Sequence, residues 1–285
     1  RLGTTIAIFG ASGPIGFAVG PALAGILIDG LGWALAPVFA FSALLFFGSA
    51  LATGLWFNNS PQALDVTVSP EQQELIAGHE FEDYYSSQDA GVFAAQVQTN
   101  NIQVSLLALA GGATAGVLTA AVLVINGFSI GVVGALMHQN GAAGTFWGLI
   151  LPHGLLEISA IVVAGAVGLK LGWAVIAPGE DRSRGDAVVE EARHGVTIVV
   201  GLALWFVVAG FIEALVTPSG LPTAIRIGIG ALALAAAIAH VLAFGPAALA
   251  ASRAGAGTDP WEVEKADLAR AGSPPVRHPQ PAAGP

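Results

Sequence analysis

The chain of 285 residues is 54% hydrophobic and 10% charged, with 38 glycines and a net charge of -9; its mean hydropathy is +0.73. Soluble domains carry about 25% charged residues, so the composition excludes a soluble globular protein and indicates an integral membrane one. The ten Lys and Arg form no dense patch, which argues against nucleic acid as a partner, and with no cysteine the chain has neither disulfides nor thiolate-held metals.

Long apolar runs, rather than alternating segments of about ten residues, predict helices and not a barrel. Seven segments follow in order: 5–28, 32–55, 102–125, 127–138, 146–170, 195–216 and 223–245. A helix needs about 20 residues to cross a bilayer. The fourth is too short for that unless it extends to about 143, and its alternative is a re-entrant or broken helix. Thr5–Ile28 is too long and glycine-rich for the core of a signal peptide and reads as a span. The one methionine is Met137 and the chain opens at Arg1, almost inside a span, so a fragment lacking its start is expected.

Between the second and third segments, Asn58–Gln98 holds seven acids and no Lys or Arg. Ser69-Pro70-Glu71 predicts a helix start, with Ser69 as N-cap, Pro70 in the first position and Glu71 at the positive end of the dipole. Leu75, Ile76, His79, Phe81, Tyr84 and Tyr85 then make the helix partly amphipathic, which suits the membrane surface; a solvated loop helix is the alternative. Glu82, Asp83, Tyr84 and Tyr85 are read as interfacial, the acids facing solvent, headgroups or a cationic partner and the tyrosines the headgroup level. Asn100 and Asn101, where this stretch enters the third segment, read as an interfacial helix cap, with a ligand site as the alternative. Asn126, before Gly127, reads as the cap of a helix break.

Leu151-Pro152-His153-Gly154-Leu155-Leu156-Glu157 interrupts the fifth segment with an imidazole and a carboxylate. His153 and Glu157 are four residues apart and share one helix face. Ionisable groups at membrane depth turn to protein or water rather than lipid. The intramembrane polar site is therefore His153, Glu157, Glu213, Pro152 and Asn126. Its plainest use is a network that fixes helix register, with Pro152 freeing backbone carbonyls as partners. Contact with a partner or substrate, and metal or proton chemistry, are the other uses. His153 and Glu157 supply only two metal ligands, so no metal or cofactor is assigned.

The loop Pro178–His194 contains Arg182, Arg184 and Arg193, with Lys170 just before it. Basic residues in short loops mark the cytoplasmic side. The acidic stretch then lies outside and the tail after Pro246 inside; that tail lacks apolar periodicity and reads as disordered. No phosphate loop, His-Glu-x-x-His or Gly-x-Ser-x-Gly motif occurs, so the chain is not expected to be an enzyme.

Motifs spread over about 190 residues add a resemblance. They are Glu80-Phe81-Glu82-Asp83-Tyr84-Tyr85, Thr99-Asn100-Asn101-Ile102, Asn126-Gly127 with Gly131 and Gly134, Gly148 through Glu157, Gly168-Leu169-Lys170-Leu171-Gly172-Trp173, and Phe211 through Pro218. From about Leu55 to Gly245 the chain thus resembles the stage II sporulation protein M family of bacterial membrane proteins, and the insert Pro178–His194 looks most like its actinobacterial branch. The resemblance implies, in sporulating bacteria, a protein that holds cell-wall-degrading partners at the septal or engulfing membrane. Upstream, Gly16, Gly20-Pro21 and Ala24-Gly25, then Asp29-Gly30-Leu31-Gly32-Trp33, resemble the fifth and sixth helices of a major facilitator superfamily exporter. Ala34 departs from that group's arginine. Two helices of a twelve-helix transporter form no pathway, so this part implies no transport. The exporter orientation would leave residue 57 in the cytoplasm, whereas the basic loop puts it outside; the charges are local to the larger segment and decide. A natural fusion and a chimeric gene both remain open.

The expected fold class is all-α, a polytopic helical membrane bundle of about seven transmembrane segments with an acidic extracytoplasmic loop containing a helix. Three regions are expected: 1–54 (exporter-like), 55–246 (the membrane domain) and 247–285 (the cytoplasmic tail). The expected role is a non-catalytic scaffold or assembly factor in a bacterial plasma (inner) membrane, acting in envelope or peptidoglycan remodelling. Its partners would be lipids, membrane or envelope proteins and further copies of itself. The alternative is a small-molecule or lipid transporter lined by His153, Glu157 and Glu213.

Overall fold

The computed structural model describes residues 36–77, 90–179 and 182–255, and every regular element among them is a helix. Among the described residues, five helices are long and apolar enough to cross a membrane: Pro37–Asn59, Val117–Gln139, Ala143–Ile176, Arg184–Leu215 and Thr223–Ala243. The chain is a multi-pass membrane protein. The predicted segment 5–28 lies outside the described residues, as do Glu82, Asp83, Tyr84 and Tyr85.

Helix α1 runs over Ala36–Ala43, passes through a π-helical turn at Leu44–Gly48 and resumes over Ser49–Asn59. A π turn leaves carbonyls poorly matched along the helix; Ser49 Oγ donates to two of them, Leu45 O at 2.6 Å and Phe46 O at 2.9 Å. The proposed division at 54/55 falls inside this helix. Two short helices follow, α2 (Pro61–Thr67) and α3 (Pro70–Ala77). Ser69 caps α3 as its sequence predicts: the Gln72 amide donates to Ser69 Oγ and the Ser69 amide to Gln72 Oε1, both at 3.3 Å, a reciprocal capping box. Ser69→Ala is expected to weaken α3 locally by about 1 kcal/mol, seen as faster amide exchange at Glu71 and Gln72 with the global melting point unchanged.

The next two predicted segments are redrawn. Helix α4 spans Ala90–Ala110, a 3-10 turn covers Gly111–Thr114, and α5 runs unbroken over Val117–Gln139. The chain therefore reverses at 111–116 and not at Asn126-Gly127. Ala115 (φ 55°) and Gly116 (φ 82°) take the left-handed conformation the reversal needs. Thr119 Oγ1 donates to Ala108 O at 2.7 Å across it. The glycines of the turn are buried: a Cβ on Gly172 would come within 2.7 Å of Gly116 Cα. The turn is built of apolar and small residues for that reason, and the apolar run 102–125 passes straight through it. Asn126 is mid-helix, its Nδ2 donating to Val122 O at 2.8 Å. Gly127 is a packing residue, since a Cβ there would clash with the Phe46 carbonyl and Ser49 of α1.

Helix α6 (Ala143–Ile176) contains Pro152 without ending there. Helix α7 covers Arg184–Leu215, with Ser183 as N-cap accepting from the Asp186 amide at 3.1 Å. Much of the predicted basic loop is thus the opening of α7, which begins at Arg184. Lys170 pairs with Glu191 at 2.8 Å, and Arg182 pairs with Glu190. Helix α8 (Thr223–Gly255) continues past Pro246 into the stretch expected to be disordered; 256–285 lie outside the described residues. The chain divides into two units, one up to Ala239 and one from His240; the described part of the second is the end of α8.

Within the first unit α6 is the central helix. Its Leu155, Ile158, Ile161 and Val162 form a buried core with Phe39 and Phe46 of α1, Leu123 of α5 and Leu202 and Phe206 of α7. Large apolar residues such as Leu204, Phe211 and Leu215 of α7 point outward, as lipid-facing positions should. Neighbour pairs fix the directions. Phe46 meets Gly127, and Gln139 Nε2 donates to Phe57 O at 2.8 Å, so α1 and α5 run the same way. Leu123 meets Gly165 and Gly134 meets Phe146, so α6 runs against α5. Val167 meets Gly195, so α7 runs against α6, while Ala108 meets Gly168 alongside the Asn101–Glu157 contact, so α4 runs with it. The arginine-bearing connection and the 111–116 turn therefore share one end of the bundle. Asn59, the 140–142 turn and the start of α4 share the other.

Candidate functional site

Antiparallel packing of α6 and α7 brings a residue early in one beside a residue late in the other. His153 stands ten residues into α6 and Glu213 two residues before the end of α7. His153 Nδ1 pairs with Glu213 Oε2. Thr217, just beyond α7, places its Oγ1 3.4 Å from the same Nδ1. One turn further along α6, Glu157 Oε2 accepts a hydrogen bond from Asn101 Nδ2 of α4. Three helices are thereby joined through polar atoms.

His153, Glu157 and Glu213 are 4%, 1% and 3% exposed, so none of them faces acyl chains or bulk water. This is the arrangement that ionisable groups at membrane depth require. Glu157 Oε1 and Glu213 Oε1 have no hydrogen-bond partner. Desolvating a charged group costs several kcal/mol, and only good pairing offsets it. The His153–Glu213 contact supplies that pairing at one oxygen, Glu213 Oε2. Among the described residues no group of three or more His, Cys, Asp or Glu side chains is placed to hold a metal ion.

The other predicted positions divide. Pro152 precedes His153 in α6, and its carbonyl faces α8: a Cβ on Gly230 would come within 3.0 Å of Pro152 Cα and clash with that oxygen. Pro152 thus seats a neighbouring helix rather than contributing a polar group to the cluster. Asn126 lies on α5, satisfied by its own helix, and does not join His153. Neither Asn100 nor Asn101 is an interfacial cap, because α4 begins ten residues before them. Asn101 turns into the cluster, whereas Asn100 faces outward.

Sequence reasoning missed Thr217, although its spacing of four from Glu213 was a usable signal. Gln98 was missed as well; its Nε2 donates to Phe206 O on α7. Arg226, near the start of α8, donates from Nη1 to Thr217 O at 2.6 Å and from Nη2 to Thr223 Oγ1 at 3.1 Å. It brings a cation to the Thr217 carbonyl just past the end of α7, a favourable place for positive charge.

A family model described as SpoIIM, Stage II sporulation protein M, matches residues 43–218. The match begins inside α1, upstream of Leu55, and takes in Asn101, His153, Glu157, Glu213 and Thr217. An uncharacterized protein of Methanocaldococcus jannaschii is 33% identical over 123 residues, which is 43% of this chain and 69% of that protein. No solved structure matches the chain.

Proposed function

Because this chain belongs to the stage II sporulation protein M family and crosses the membrane several times, we propose that it is a non-catalytic membrane scaffold that holds partner proteins of the cell envelope. The observation behind this reading is how the polar groups at membrane depth are used. Asn101 with Glu157 and His153 with Glu213 fasten α4, α6 and α7 to one another, and glycines such as Gly112, Gly127 and Gly168 let backbones meet without side chains between them. A bundle fastened in this way offers stable outer faces, which is what an assembly factor needs. On this reading the site is for rigidity and the chemistry belongs to the partners. The same proposal puts the chain in a bacterial plasma membrane and its partners in peptidoglycan remodelling, as the family resemblance implies.

A second reading, transport of a small molecule or lipid, draws on the buried carboxylates of Glu157 and Glu213, each of which keeps an Oε1 without a hydrogen bond. One experiment separates the two. The chain and its His153→Gln and Glu157→Gln variants are cross-linked in native membranes, purified in detergent, and the co-purifying envelope proteins identified. A scaffold keeps its partners in the folded variants and loses them when a bulky residue replaces a tightly packed glycine. A transporter loses activity in both side-chain variants while its complexes persist. Recovery of the chain without partners counts against the scaffold.

A further inference from the structure

Helix α4 does not meet the composition of a membrane span, yet its contacts place it at membrane depth. Asn101 reaches Glu157, midway along the apolar run 146–170, and Gln98 reaches Phe206, midway along 195–216. The side of α4 turned away from the bundle is therefore at the level of the acyl chains. That side is not apolar. Val92, Gln96, Thr99, Gln103, Leu106 and Ala110 are all exposed, and their alternating spacings of four and three are the a and d spacing of a coiled-coil seam. The amides of Gln96, Gln103 and the flanking Asn100 make no hydrogen bond among the described residues. Amides in hydrocarbon need a protein or water partner.

We propose that α4 is a homodimerisation helix, whose outward seam packs against the same seam of a second copy with the Gln96 and Gln103 amides pairing across the two-fold axis. Three features select a second copy over an unrelated partner. A primary amide is both donor and acceptor, so a row of amides is complementary to itself. The row carries no charge that would call for an opposite charge on the other side. Two copies with one topology, related by an axis along the membrane normal, run parallel, so each a position meets its own counterpart, and a polar a residue there fixes register and pair formation. Thr99 and the flanking Ala95 are small enough for the two backbones to approach. This inference goes beyond the scaffold reading and rests only on the chain crossing a membrane.

The absence of cysteine makes the test direct. Thr99→Cys and Leu106→Cys are made in the full chain and reconstituted in phosphatidylethanolamine and phosphatidylglycerol vesicles. Leu204→Cys, exposed on α7, serves as control. Oxidation is expected to give disulfide-linked dimers at 99 and 106 and not at 204. A second variant, Gln96→Leu with Gln103→Leu, faces outward and leaves the fold intact; it is expected to raise the dimer dissociation constant about tenfold, the scale of interhelical polar contacts in lipid, as read by energy transfer between labelled copies. The proposal is overturned if seam and control thiols cross-link equally. It is also overturned if the seam thiols are protected in a chain that stays monomeric, which would put another segment of the same chain on them, or if the double leucine variant dimerises undiminished.

Discussion

Replacing His153 with leucine is expected to destabilise the bundle by about 3–5 kcal/mol, the range for breaking one side of a buried ion pair. The cost arises on the other side of the pair. Glu213 is 3% exposed and its Oε1 already lacks a hydrogen bond, so losing the imidazole leaves a buried carboxylate with nothing to offset its desolvation. The double variant His153→Leu with Glu213→Leu should recover most of that loss, because two apolar side chains in low dielectric carry no such penalty. Thermal unfolding of all three chains in one detergent checks this. If the double variant is as unstable as the single one, the pair is not what holds α6 to α7. Recovered stability combined with retained partners would also separate the structural use of the site from a transport use.

The second large effect is expected at Gly127. Changing it to leucine should cost about 3 kcal/mol, the upper part of the range for overpacking, because the obstacle is a backbone carbonyl, Phe46 O, that cannot rotate away. Gly201 on α7 is the matched control: a Cβ there meets nothing within 4 Å, so Gly201→Leu should be tolerated. The measurement is again the melting transition, with limited proteolysis to report release of α1. The result bears on the start of the chain. A large loss means that α1 belongs to the bundle, as its contacts with α5 and α6 indicate; a neutral Gly127→Leu would support reading 1–54 as a separate attachment.

What the sequence revealed and what it concealed follow the same logic of packing in lipid. His153 and Glu157 were legible because four-residue spacing in an apolar run has one structural meaning, and Glu213 because a lone carboxylate at that depth needs a partner. The break between α4 and α5 was hidden. Gly111, Gly112 and Gly116 form a turn buried against α6, and a buried turn has the same apolar composition as a span. Asn126-Gly127 gave the opposite error. In a soluble protein that dipeptide often ends a helix; here the glycine clears space for α1 and the asparagine bonds to the preceding turn of its own helix. Helix α4 was misjudged because its polar residues resembled an interfacial entry, when Gln98 and Asn101 are the groups that reach α7 and α6. The length of α7 was underestimated because its charges suggested a loop, whereas Ser183 and Asp186 supply a helix start before the apolar part begins.

The π-helical turn at Leu44–Gly48 has a consequence for how α1 can vary. A π turn amounts to one residue added to an α-helix, and each residue of an α-helix advances the rotation by about 100°. Ser42, before the turn, donates to Val162 O of α6 at 2.8 Å, whereas Thr53, after it, faces Gly131 of α5. Excising one residue from 44–48 would let the helix wind regularly and swing one half out of phase with the other, so that it could address α5 or α6 but not both. Relatives that lack this residue should accordingly have exchanged their contact residues on one side of the deletion, and length in this stretch should be inherited more strictly than residue identity.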